Sequence, residues 1–298
     1  MTSLTDLFLR KGADRRLRGG HLWVYSNEVD SDRSPLPGFA AGDPVAVRSA
    51  DGRLLGSAYM EPNALICARV YAPRRECAPD AALFAGALRQ ALSLRQRFFQ
   101  QPFYRLVYGD SDLLPGLVID RFGDTLVMQL NNAGIERYEP SLVAALVDLL
   151  QPTGVLLRAD SRARREQNLE DRVEVVYGEV PEVVALEENG VRFEAPVRAG
   201  QKTGWFYDHR LSRARLQQLV GGCDVLDVYS YIGGWGVQAA VAGAAAVCCI
   251  DSSEAALDGV QRNAAINGVD ASVRVAPGRA DAVMQTLAGE GERFDVVV

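Results

Sequence analysis

The sequence holds little histidine, almost no lysine and no paired cysteines. Its two histidines, His21 and His209, lie far apart, and its five cysteines (Cys67, Cys77, Cys223, Cys248, Cys249) include no C-x-x-C pair. That scatter argues against a disulfide framework and against a zinc site of the usual ligand spacing. No apolar run approaches the length of a membrane span, and Met1–Asp6 lacks the basic start and apolar core of a secretory signal. A cytoplasmic chain with no metal and no membrane contact is expected. Only Lys11 and Lys202 are lysines among 32 basic residues. The arginine bias carries no functional weight, but it makes a lysine at a motif position stand out.

The 298 residues, 48% of them apolar, can bury a large core and exceed one typical domain. The net charge of −6 is unevenly spread. Residues 1–75 carry 11 basic against 8 acidic side chains, residues 76–186 carry 11 against 16, and residues 187–298 carry 10 against 14. Only the first segment is basic. Such a face suits contact with phosphates, although a merely solvated surface is the commoner cause.

Residues 1–75 read as short strands: Leu7–Leu9, Leu22–Tyr25, Pro44–Val47, Leu54–Tyr59 and Leu65–Tyr71. Turn clusters separate them, with Asp51-Gly52 the strongest hairpin signal. A small β-barrel-like module is expected. Within it Arg10, Lys11, Arg15, Arg16, Arg18, His21 and Trp23 interleave basic and aromatic groups, a pattern suited to nucleic acid. The simpler reading makes Trp23 a core residue and the arginines solvated.

Helical spacing then runs through Leu83, Phe84, Ala87, Leu88, Ala91, Leu92, Leu94 and Phe98. Strands about a Gly123-Asp124 turn, a helix near 140–150 and strands at 155–158 and 173–177 complete an α+β middle domain over 76–186. Asn189-Gly190 marks a hairpin of type I′, and the last boundary is expected just before it, opening a third domain at 187–298. There strands at 225–228, 246–250, 272–276 and 294–298 alternate with helices, which implies a parallel sheet with right-handed crossovers.

The stretch Val225–Gly236 reads as a buried strand entering a glycine turn and a small-residue helix, a cofactor cradle. Its glycines, Gly233, Gly234 and Gly236, have the wrong spacing for a dinucleotide fingerprint. An acid at Asp227 would also repel a pyrophosphate. S-adenosylmethionine (SAM) carries an ammonium, a sulfonium and a ribose but no phosphate. Asp227, Asp251 and Asp281, at successive strand ends, suit its ammonium side, its ribose and its adenine amino group. Upstream, Gly200-Gln201-Lys202-Thr203-Gly204 through Asp208 and Arg210 is dense in hydrogen-bonding groups just before a helix, where a capping role for Asp208 also applies. Cys248, Cys249 and Cys67 read as small buried hydrophobes.

These motifs resemble those of the class I SAM-dependent large-subunit ribosomal RNA methyltransferases that modify cytosine C5. The likeness runs from Lys11-Gly12 and His21–Val24 through Gly109-Asp110, Leu114–Arg121, Tyr177–Pro181 and Glu188–Gly190 to the Gly200–Gly204 run and the Asp227–Gly236 cradle. The Gly-Gln-Lys-Thr-Gly run is its most specific part. It implies a PUA-like RNA-binding domain at 1–75, the α+β middle domain, and a Rossmann-like methyltransferase domain at 187–298. It implies that Gln201, Lys202, Thr203, Asp208, Arg210, Asp227, Tyr229, Asp251 and Asp281, with Gly233 and Gly234 of the turn, hold SAM. It further implies a ribosomal RNA partner, while a homodimer is compatible with it.

Three residues depart from the family pattern: His209 replaces glutamine, Ile232 threonine and Trp235 phenylalanine. The family continues beyond the equivalent of Phe294–Val298 into an Asp-Pro-Pro turn and further strands that bear the catalytic cysteine. No cysteine here occupies that position, so no catalytic residue is assigned and a C-terminally truncated chain with an incomplete sheet is expected. A non-catalytic RNA-binding module or fragment is the competing expectation. A nicotinamide-dependent oxidoreductase fails on glycine spacing.

Overall fold

A computed structural model describes residues 3–298. The chain forms two compact units, one ending at Val180 and the other starting at Pro181.

The first unit contains two five-stranded sheets. In the first sheet β1 (Thr5–Phe8), β2 (Trp23–Tyr25), β3 (Pro44–Arg48), β4 (Leu54–Met60) and β5 (Ile66–Pro73) lie in the order β1-β3-β4-β5-β2. Pair β1–β3 is parallel and the other pairs are antiparallel. The short helix α1 (Arg15–Arg18) sits between β1 and β2. Gly52 takes φ +86° and donates its N–H to the Ser49 carbonyl at 2.9 Å, closing the β3–β4 turn where the Asp-Gly pair predicts it. Leu7, Val24, Val45, Val47 and Cys67 fill the core, each side chain contributing about 1.5–3 kcal/mol through burial if of Val or Leu size. Val24, not Trp23, is the core residue of β2. Trp23 is half-buried, which corrects the simpler reading of the sequence.

The second sheet follows α2 (Ala81–Phe98), whose first turn is capped by the Asp80 carboxylate accepting the Leu83 N–H at 2.7 Å. Phe84, Leu88, Ala91 and Leu92 form its buried face, whereas Leu94 and Phe98 are exposed, so the apolar stripe is narrower than its spacing predicts. Then come β6 (Phe103–Tyr108), β7 (Leu117–Phe122), β8 (Thr125–Leu130), α3 (Ala133–Glu136), α4 (Glu139–Leu150), β9 (Gly154–Ala159), α5 (Arg162–Arg165) and β10 (Arg172–Gly178). Their order is β10-β9-β8-β7-β6. Strand β6 is absent from the sequence reading. A register shift between Arg105 and Val107 buries Leu106 and Val107 together and so breaks the alternation that would reveal a strand.

The second unit opens with a hairpin of β11 (Val184–Glu188) and β12 (Val191–Ala195). Asn189 and Gly190 take φ +55° and +79°, as a type I′ turn requires. The expected boundary before Glu187 falls inside β11, whose register from Val184 opposite Ala195 carries the whole strand into this unit. After α6 (Arg210–Gln217) come β13 (Asp224–Val228), α7 (Gly236–Val241), β14 (Ala246–Asp251), α8 (Glu254–Ile266), β15 (Val273–Pro277), α9 (Ala280–Gly289) and β16 (Val296–Val297). The four strands are parallel, in the order β15-β14-β13-β16. The chain therefore runs outward from β13 through β14 to β15 and then returns to β16 on the other side of β13, and ligands of such sheets bind at the carboxyl ends of the strands flanking that reversal. Helix α6 turns Arg213 and Leu216 inward and leaves Leu211 80% exposed.

Candidate functional site

The carboxyl end of β13 runs into a turn with unusual backbone. Tyr229 and Tyr231 take φ +63° and +50°, a left-handed conformation that bulky residues avoid unless their surroundings impose it. Behind the turn Gly236 is sterically obligatory. A Cβ there would lie 2.5 Å from Cys249 Sγ and 3.1 Å from Asp227 Oδ2. Its N–H donates to Asp227 Oδ2 at 2.8 Å, so the start of α7 is pinned directly onto β13 and β14.

Two cavities flank Tyr229, whose side chain is 78% exposed and lines both. The larger, about 390 Å³, is walled by Asp251, Ser252, Gly278, Arg279 and Asp281. Asp251 ends β14. Its Oδ2 accepts the Tyr231 N–H and its Oδ1 the Ser253 N–H, each at 2.9 Å. A carboxylate has about four acceptor sites, so two remain for a pair of vicinal hydroxyls. Asp281 lies in the first turn of α9 rather than at a strand end, and pairs with Arg279 at 3.1 Å. The Arg279 hydrogen bond, helped by the Ala282 N–H, holds its carboxyl below the usual range.

The smaller cavity, about 130 Å³, is lined by Gln201, Phe206, Arg213, Ser230, Tyr231 and Trp235 among others. Here the two sequence motifs meet. The Tyr231 hydroxyl accepts the Gln201 N–H at 3.2 Å and donates to the Gly204 carbonyl at 3.3 Å. A Cβ at Gly200 would lie 2.4 Å from that hydroxyl, which explains the glycine. Beneath lies a buried polar network. Glu188 accepts from Arg213 Nη1 at 2.7 Å, from Gln238 Nε2 at 3.0 Å and from Trp205 Nε1 at 3.1 Å. The Arg213 guanidinium also lies over the Trp205 and Trp235 rings, at 4.6 and 5.7 Å. Arg213 Nε and Ser230 Oγ are buried without partners in the walls.

Asp227 is placed differently from Asp251. It is buried beneath the glycine turn and lines neither cavity, its Oδ1 having no partner. Burial pushes its carboxyl up to about 7, against the opposing pull of the Gly236 N–H and Arg213. Its Oδ2 organises the turn from below through the Gly236 N–H.

Of the other expected residues, Gln201, Tyr229, Gly234, Asp251 and Asp281 reach a cavity wall, whereas Lys202, Thr203, Asp208, Arg210 and Gly233 do not. The Lys202 ammonium sits 4.5 Å over the Phe206 ring, and Thr203 is buried with its hydroxyl donating to the Trp205 carbonyl at 3.2 Å. Asp208 is exposed in a single turn, and the Arg210 carbonyl accepts from Asn189 Nδ2 at 3.0 Å. Gly233 supplies a left-handed φ of +82°. The sequence reading misses Arg213, Ser230, Trp235 as a wall residue, and Arg279. Nothing in the α6 pattern distinguishes Arg213 from its neighbours, because its partner Glu188 is 25 residues away.

Burial raises the thiols of Cys248 and Cys249 and lifts that of Cys67 to about 12, which fits their reading as small hydrophobes. None of the five cysteines lines either cavity.

In the first unit Arg10, Lys11, Arg15, Arg16 and Arg18 are exposed. Arg16 pairs with Glu28 at 2.7 Å and lies over Tyr25, and Arg18 pairs with Asp14 at 3.4 Å, so part of this charge is compensated. Arg10 Nε donates to the Val29 carbonyl at 2.9 Å. His21 meets Trp23 edge-on at 5.5 Å.

The parallel sheet, the glycine turn after β13 and the acid at the end of β14 are the parts of a SAM-dependent methyltransferase, and residues 150–279 match that family, while residues 7–73 match the PUA-like domain family. A protein of Shewanella denitrificans named ribosomal RNA large subunit methyltransferase I is 36% identical over 97% of this chain and 74% of its own length. Its namesake in Vibrio cholerae is 36% identical over 98% of this chain and 74% of its own. The chain belongs to this family of ribosomal RNA large subunit methyltransferases. A solved structure from Streptococcus mutans, described as a SAM-dependent methyltransferase, shares the fold. Its TM-score is 0.85 at 21% identity, over 99% of this chain and 76% of that one. Another with the same score and identity, over 99% and 75%, is described as a methyltransferase complexed with SAH.

SAM is the cofactor of this family, and the donor set suits it. The unfilled acceptor capacity of Asp251 fits the ribose hydroxyls, and the aromatic, Arg213-backed smaller cavity fits the amino-acid end.

Proposed function

We propose that the chain is a SAM-dependent methyltransferase of 23S ribosomal RNA acting at cytosine C5. The observation that carries this is the likeness along nearly the whole chain to relatives named ribosomal RNA large subunit methyltransferase I, joined to a cradle whose glycine spacing is not that of a dinucleotide site. Cytosine-C5 specificity rests on the motif resemblance, above all Gly200–Gly204.

SAM, when bound, supplies an electrophilic methyl group on its sulfonium. The chain's own residues bind and orient it. Asp251, held by two backbone N–H groups, takes the ribose hydroxyls. Asp281 meets the adenine amino group, and Gln201 with Arg213 lines the amino-acid end. Methylation at C5 needs a thiolate to add to C6, transfer of methyl to C5, and loss of the C5 proton with elimination of the thiol. That thiolate is not supplied by any cysteine at the two cavities.

The division into a PUA-like RNA-binding domain at 1–75, an α+β domain, and a methyltransferase domain is part of the proposal, with the last boundary moved to Pro181. Arg10, Lys11, Arg15, Arg16, Arg18, His21 and Trp23 form its RNA-facing set, and Lys202, Thr203, Asp208 and Arg210 act as supports of the cofactor loop. Among the described residues no helix is long and apolar enough to cross a membrane, and a cytoplasmic location is proposed.

Mass-spectrometric mapping of 23S RNA from cells with and without the gene tests the substrate. Loss of one 5-methylcytidine is expected. An unchanged methylation map refutes the reading.

A further inference from the structure

Tyr229 stands where the two cavities of the second unit adjoin, and it lines both. Its backbone φ of +63° has a local cause. Val228 before it donates its N–H to the Val298 carbonyl, and Ser230 after it donates to the Ile250 carbonyl, each at 2.9 Å. Tyr231 is held next in turn by Asp251 Oδ2. Residue 229 therefore absorbs the change of direction between fixed neighbours. Glycine would do so at the least cost, and asparagine at less cost than an aromatic residue. The tyrosine adds little packing to offset the strain, since its ring is 78% exposed and makes no hydrogen bond or ring contact with another described residue. Strain that the packing does not use marks a functional position.

The chemistry of SAM says what that position meets. Its sulfur is bonded to the methyl group, to a ribose carbon and to the end of the amino-acid chain. With the ribose beside Asp251 and the amino-acid end in the cavity backed by Arg213, the sulfur has to cross between the two cavities, at Tyr229. It carries a full positive charge there. Among the described residues that line the smaller cavity there is no carboxylate. The two of the larger cavity are committed elsewhere, Asp251 to the Tyr231 and Ser253 N–H groups and the ribose, and Asp281 to Arg279. The aromatic face at the junction is the group left for the charge, and a cation within about 6 Å of a ring centroid is attracted by the ring quadrupole.

We infer that Tyr229 is a specificity-determining residue that recognises the sulfonium charge of SAM through its ring face, and so favours the charged methyl donor over its neutral thioether product, S-adenosylhomocysteine (SAH). Transfer of the methyl group removes the charge, which leaves the product held by its ribose, adenine and amino-acid contacts alone. The inference rests on the reading of the two cavities as the SAM site.

The test is isothermal titration of wild type, Tyr229→Phe and Tyr229→Leu with SAM, SAH and sinefungin, which bears a protonated amine where SAM bears its methyl sulfonium. The ratio of SAM to SAH affinity isolates the charge, because SAH retains the ribose, adenine and amino-acid groups. Tyr229→Leu should lower that ratio about three- to thirtyfold, the span of a cation–π contact from exposed to desolvated, and should lower the ratio of sinefungin to SAH in parallel. Tyr229→Phe keeps the ring face and should leave both ratios within about twofold of wild type. An unchanged ratio in Tyr229→Leu, or a loss in Tyr229→Phe as large as that in Tyr229→Leu, overturns the inference and leaves the cofactor site intact. Loss of all three ligands from Tyr229→Leu overturns it too, because the ring would then be a general support of the pocket. Failure of wild type to bind any of the three overturns the cofactor reading together with it.

Discussion

Arg213 donates to Glu188 at 2.7 Å with both side chains shut off from solvent, so a charge on α6 is neutralised by one at the tip of the β11–β12 hairpin. The pair supports the smaller cavity from behind, because the same guanidinium stacks on Trp205 and Trp235. Removing one partner strands the other as an unpaired buried charge. Arg213→Met is expected to destabilise the protein by about 3–5 kcal/mol, measured by denaturant unfolding, and Arg213→Met with Glu188→Gln to recover much of that loss.

Asp251 holds the turn and faces the larger cavity at once. Asp251→Ala removes the acceptor of the Tyr231 N–H as well as the proposed ribose partner. SAM affinity should fall at least tenfold, about 1.4 kcal/mol, by isothermal titration. Equal affinity in wild type and variant contradicts the assignment.

Gly236 permits α7 to start against β14. Gly236→Ala should lower the melting temperature and weaken SAM binding together, because its methyl group meets Cys249 Sγ. Adding Cys249→Ala, which removes that sulfur, should recover part of both losses.

Asp227 couples stability to pH. Its carboxyl is raised from 3.8 to about 7 in the folded protein, so between those values the folded state holds a proton that the unfolded state has released. Stability from this group is therefore full below about pH 4, falls as pH rises toward 7, and levels off above it. Asp227→Asn keeps an acceptor for the Gly236 N–H and cannot ionise. Its stability curve should lack that decline, as melting temperatures across pH 4–8 will reveal.

Much of this architecture is legible locally. Asp51-Gly52 and Asn189-Gly190 announce their hairpins because positive φ is cheap for glycine and tolerable for asparagine. The alternation of strands and helices after Asp208 announces a parallel sheet. Wrong spacing at Gly233, Gly234 and Gly236 rejects a dinucleotide before any coordinates are known.

What the sequence by itself determined is therefore the strand–helix alternation of the second unit and the cofactor class, since each follows from periodicity, turn chemistry or charge within a few residues, while the PUA-like and methyltransferase modules follow from the resemblance of longer motifs. Only the tertiary structure decided which polar groups face a cavity. Asp227 and Asp251 look equivalent as strand-end acids, but Gly236 packs over the first and buries it, while the second ends its strand beside a cavity. Arg213 and Glu188 carry no local mark, because a buried ion pair depends on two distant segments closing over it. Trp23 reads as core or as surface until the strand β5 partner Arg69 fixes it at the rim of a cleft.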